Sequence, residues 1–132
     1  MLLKTLLGAS LLVSASIDRQ IQDGTPGAEK SALHMSDRQK NAAVRPLVRS
    51  ATECVARAVS ADPRFGDAVR RGDVNDLIVD SVAPCVDAMR AMIDGYDRYY
   101  GAGAGETFFS GPYLDVLPAA VHKLLDRNAD AK

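Results

Sequence analysis

The chain has 132 residues, with 16 basic and 17 acidic side chains and a formal net charge of -1. That length accommodates one domain, and the near-neutral balance gives no reason to expect a nucleic-acid or anionic-membrane partner. A four-ligand zinc centre would need both cysteines and both histidines, and His34 lies before the first helix while His122 lies in the last one, so no cofactor or metal is expected.

Lys4 precedes an apolar run from Leu6 to Val13, and Val13-Ser14-Ala15-Ser16 then supplies small residues. A basic start, a short apolar stretch and a small-residue site are the parts of a signal peptide, here spanning residues 1-15 with cleavage after Ala15. The run is shorter than the roughly 20 apolar residues of a membrane span, so no stable membrane anchor is expected after cleavage. Translation from Met35 instead would make a cytoplasmic interaction protein with two free thiols. Residues 16-36 include a Gly-Thr-Pro-Gly turn and lack a sustained apolar period. Such a stretch buries too little surface to offset its ordering entropy, which predicts a disordered tether.

The helical domain is expected over residues 37-127, with a disordered tail over 128-132. Ser36 and Gln39 have the spacing of a capping box. Val44, Leu47, Val48, Ala51, Val55, Ala58 and Val59 follow it at helical intervals, predicting a first helix over about 37-61. Arg45, Arg49, Glu53 and Arg57 recur at four-residue steps on its other side, a spacing that allows Arg-Glu pairs. Asp62 and Pro63 suit the start of a short helix that Gly72 ends.

Asp73 is placed to cap a long helix over about 74-100, with Leu77, Ile78, Val82, Val86, Met89, Ile93 and Tyr96 on its apolar stripe and a bend at Pro84. Asp73, Asp80, Asp87 and Asp94 recur every seven residues on it. Such carboxylates lie about 10 Å apart along a helix, too far to share one cation, so they predict a solvated face, part of it opposite Arg45, Arg49 and Arg57. Gly111-Pro112 opens a last helix with Tyr113, Leu117, Ala120, Val121 and Leu124 on one face and an interruption at Pro118. No segment alternates with a period of two. The fold class is therefore all-α: a small domain of three to four helices, built on an antiparallel hairpin and completed by a C-terminal helix.

Cys54 and Cys85 border the apolar stripes of the two hairpin helices. In an antiparallel pair whose opposed residue numbers sum to 139 (54 + 85), Leu47 falls beside Met92 and the two cysteines face each other. They predict one disulfide that staples the hairpin and an oxidising, periplasmic or secreted location. Their separation is unlike the Cys-x-x-Cys spacing of redox motifs.

Six of the seven aromatic residues lie between Tyr96 and Tyr113, interleaved with Gly101, Gly103, Gly105 and Gly111. Tyr99, Tyr100, Phe108, Phe109 and Tyr113 are the candidate residues for binding a protein partner. The competing role for Phe108 and Phe109 is to plug the open end of the hairpin. That role is favoured, because a glycine-rich loop carrying two phenylalanines is costly to order unless the rings are buried. No paired carboxylates, nucleophile-base set or phosphate loop in its proper context is present, so no enzyme activity is expected. The functional expectation is an exported, non-catalytic, macromolecule-binding accessory protein of the cell envelope. The alternative is an acid-responsive periplasmic chaperone, in which protonation of the many aspartates loosens the fold.

Overall fold

The computed structural model describes residues 34-132. The expected signal peptide and most of the expected tether lie outside the described residues. Within them the chain is helical and without strands. The long elements are α1 (Asp37–Ala61), α4 (Val86–Tyr100) and α6 (Leu114–Asp130). The short ones are α2 (Phe65–Arg71), α3 (Val74–Asp80) and α5 (Ala104–Phe108).

α1 starts at the capping box. The Gln39 N–H donates to Ser36 Oγ at 3.3 Å, and the Ser36 N–H donates to Gln39 Oε1 at 2.8 Å, satisfying two otherwise orphaned donors. Its inward face is Val44, Ala51, Thr52, Val55, Ala56 and Val59. Pro46 lies inside the helix without ending it, and its ring is exposed. At the far end Asp62 turns the chain, its Oδ1 accepting from the Arg64 N–H at 2.8 Å. Pro63 therefore belongs to that turn, and α2 begins only at Phe65. Gly72 takes the left-handed conformation (φ 77°) that ends α2, and both its N–H and that of Asp73 return to the Ala68 carbonyl.

The expected single helix over 74-100 is broken rather than bent. α3 stops at Asp80, a 3-10 turn covers Ala83–Cys85, and α4 starts at Val86. Pro84 has no N–H to return to the Asp80 carbonyl, and its ring crowds that turn. The helix restarts once the ring is passed. Asp73 is not the side-chain cap that its position suggests: its carboxylate turns back to Arg71 Nε at 2.9 Å.

The break divides the seven-residue aspartate series between two helices, and Asp80, Asp87 and Asp94 are exposed, as a solvated face requires. Asp73 pairs with Arg71, and Asp80 pairs with Arg64 at 3.0 Å. Among the described residues neither Arg45, Arg49 nor Arg57 forms an ion pair, whether with these aspartates or with Glu53.

α1 and α4 form the expected hairpin, and the disulfide closes it with Cys54 and Cys85 Cα atoms 5.9 Å apart. Leu47 seats on Gly95, three residues past the expected Met92, because a helix without a side chain there opens room for it. α6 covers the hairpin with Leu117 and Val121, which join Val55, Val59, Leu77, Ile78, Met89 and Met92 in one core. Each such buried aliphatic side chain stabilises the fold by about 1.5–3 kcal/mol relative to exposure. Pro118 is accommodated within α6, which is not split and runs three residues into the segment expected as a tail.

Candidate functional site

The aromatic segment mostly packs inward. Gly101 and Gly103 have φ values of 110° and 85°, which let the chain reverse from α4 into α5. Phe108 stacks on Tyr96 with ring centroids 3.9 Å apart, and both Phe108 and Phe109 lie within 6.0 Å of the Tyr113 ring. The two phenylalanines are half-buried against the core, as the plug role requires.

Tyr113 is only 1 % exposed and leaves the candidate partner-binding set. Phe109 and Pro112 sit in a single π-type turn over Phe109–Tyr113, which precedes α6 and aims the Tyr113 ring into the core. Its hydroxyl lies 3.2 Å from Thr52 Oγ1. Thr52 has one hydroxyl proton, which it donates to the Val48 carbonyl at 2.8 Å, so the Tyr113 hydroxyl is the donor to Thr52. Burial pushes the Tyr113 phenol above its ordinary value.

Tyr99 is half-buried. Tyr100 is 38 % exposed; its hydroxyl donates to the Asn41 side chain, and Lys40 Nζ lies 5.7 Å from its ring centroid. Tyr100 is thus surface-accessible but already engaged with the start of α1.

A different surface has the features of a binding site. An open groove of about 440 Å³ runs between α1 and α6, with Tyr96 and Phe108 at its floor. Val44 and Val48 supply one apolar wall, and Ala120 and Leu124 the other. One position after Val44 and Val48 on α1 stand Arg45 and Arg49. One position before Leu124 stands Lys123, and Arg127 follows four residues later. Each helix therefore contributes an apolar pair and a cationic pair at four-residue spacing, which places the members of each pair on one face.

The four cations are exposed, and none forms an ion pair among the described residues. No aspartate or glutamate lines the groove. The first carboxylate, Glu53, appears in an adjoining hollow with Arg57 that shares Leu124 and Arg127. On a chain whose formal net charge is -1, this is a local concentration of positive charge around an apolar floor.

Sequence reasoning missed the groove. The Arg45–Arg57 series was visible as a polar side of α1, and Lys123 and Arg127 share a face of α6. What brings the two cationic pairs to one groove is the packing of α6 beside α1, from which residues 62–113 separate it in the chain. Among the described residues no group of three His, Cys, Asp or Glu side chains is arranged to hold a metal ion. No helix among them is long and apolar enough to cross a membrane. His122 Nε2 meets Asn75 Oδ1 at 3.3 Å, a contact between α6 and α3. No family model, curated protein sequence or solved structure matches the chain.

Proposed function

We propose that the chain is an exported, non-catalytic binding protein that takes an acidic macromolecular partner in the groove between α1 and α6. The observation that carries this reading is the set Arg45, Arg49, Lys123 and Arg127, unpaired among the described residues, around an apolar floor without a carboxylate. Exposed unpaired cations raise the local concentration of anionic partners and speed their encounter, while apolar floor area slows dissociation. Export is supported by the leader-like residues 1-15 and by the joined cysteines, since disulfides persist in oxidising compartments such as the periplasm.

The test is fluorescence anisotropy with a labelled Glu/Leu peptide and its Lys/Leu counterpart. Binding of the acidic peptide is expected at low ionic strength, weakening as salt rises and lost in the Arg49→Glu/Arg127→Glu variant. Equal binding of the basic peptide would sink the proposal. The intact mass of the native protein tests the location: residues 1-15 should be missing, and reduction should add two hydrogens.

A further inference from the structure

We infer that the occupant of this groove is a single amphipathic α-helix of the partner, with carboxylates on both flanks of its apolar face. This rests on the reading of the groove as a site for an acidic partner, and deepens it by naming the shape of the ligand.

The walls decide the backbone conformation of the occupant. Both are helices, α1 and α6, whose backbone N–H and C=O groups at the groove are turned along their own axes. No strand edge exists among the described residues to pair with an extended peptide. An extended occupant would lose water from its buried amides and gain no backbone partner in return. A helix brings its own hydrogen bonds with it, and so lays an apolar face into a groove without that loss.

The cations decide where the charge of the occupant must lie. Arg45 and Arg49 stand on one wall, Lys123 and Arg127 on the other. Within each pair the step along the helix is about 6 Å, the step between carboxylates at four-residue spacing on a facing helix. Positive charge on both walls calls for anions on both flanks of the ligand. A single-chain amphiphile with one anionic head would meet only one end of this arrangement. Asn41 to Thr52 spans about 16 Å of α1, about three helical turns, which sets the length of ligand in contact. The groove is open along one side, so the outer face of a bound helix stays in water.

The experiment uses the full mature chain and three labelled peptides of about 18 residues, long enough for several helical turns. The first has leucine on one face and glutamate on both flanks. The second keeps that composition, apart from two central prolines that break the helix. The third replaces glutamate by lysine. The first should bind about tenfold or more tighter than the second, a difference of about 1.4 kcal/mol. Its circular dichroism should gain helix on binding, and Arg45→Glu/Lys123→Glu should remove the binding with an unaltered spectrum of the protein itself.

Equal affinity for the proline-broken peptide overturns the helix but leaves the acidic-partner reading in place. Failure of both acidic peptides overturns that reading as well. Dodecanoate that displaces the first peptide and binds more tightly than it would overturn the inference in favour of a single-chain anionic amphiphile.

Discussion

The backbone N–H of Gly105 donates to the Asp97 carboxylate at 2.7 Å, and the glycine is buried against the backbone of Ile93. Asp97 and Ile93 both belong to α4, so these two contacts clamp α5 onto the end of the hairpin. That clamp holds Phe108 over Tyr96 and hence the floor of the groove.

Adding a methyl group at Gly105 would drive it into the Ile93 carbonyl, which is backbone and cannot turn aside. Gly105→Ala is expected to destabilise the fold by about 1–3 kcal/mol in urea titration, the usual cost of overpacking. Gly111→Ala serves as the control, since nothing lies within 4 Å of the added methyl group. Its effect should stay within about 0.5 kcal/mol. Equal effects of the two substitutions would remove the clamp.

The disulfide closes 31 residues of sequence. Constraining the unfolded chain over that span stabilises by about 3–4 kcal/mol in the chain-entropy model. For a domain near 100 residues, loss of that stabilisation corresponds to a fall in melting temperature on the order of 15–25 °C. Scanning calorimetry with and without excess dithiothreitol measures it, and an unchanged melting curve would show that the staple contributes nothing.

Tyr113→Phe should cost about 0.5–1.5 kcal/mol, because it removes the buried hydrogen bond to Thr52 but keeps the ring. Tyr113→Ala should cost about 3–5 kcal/mol by emptying the core beneath α6. The phenol also has a pH signature. Burial raises its folded pKa above the ordinary value of 10.0, so its contribution is fully present below that pH and is lost as pH rises through the folded value. The melting temperature of the native protein should therefore decline above about pH 10, and less steeply in Tyr113→Phe. Identical alkaline limbs for the two proteins would contradict this assignment.

At the acid end the informative group is Asp62. Hydrogen bonds from the Arg64 side chain and backbone hold its carboxyl below the ordinary value of 3.8. Because the folded pKa is depressed, the stabilisation is present above the unfolded value and lost as pH falls through the folded one. Arg64 also reaches Asp80, so protonation loosens the corner that joins α1 to α2 and its link to the end of α3. Asp62→Asn should therefore flatten part of the fall in melting temperature between about pH 4 and about pH 2. The groups are exposed, so a change of a few degrees is the scale to expect. The same titration, followed by dye binding, tests the alternative of an acid-released chaperone: a fold that stays closed to dye at about pH 2 would argue against it.

The all-α class, the capping box at Ser36, the apolar face of α1 and the pairing of Cys54 with Cys85 were all readable from the chain. Each depends on local periodicity or on the register of two neighbouring helices, and a spacing in sequence determines both. The tertiary structure decided the rest. Pro84 was expected to bend a helix but divides it, since the hydrogen bond missing at the Asp80 carbonyl and the crowding of the ring leave a 3-10 turn over Ala83–Cys85 in place of the helical one. Tyr113 resembled the other loop aromatics until the turn over Phe109–Tyr113 aimed it at Thr52. The groove was the least legible feature of all. Arg45 and Arg49 on α1, and Lys123 and Arg127 on α6, each look like an ordinary solvated helix face. Only the packing of α6 beside α1 places the two pairs around one apolar floor, and no local pattern encodes which distant helix will lie alongside.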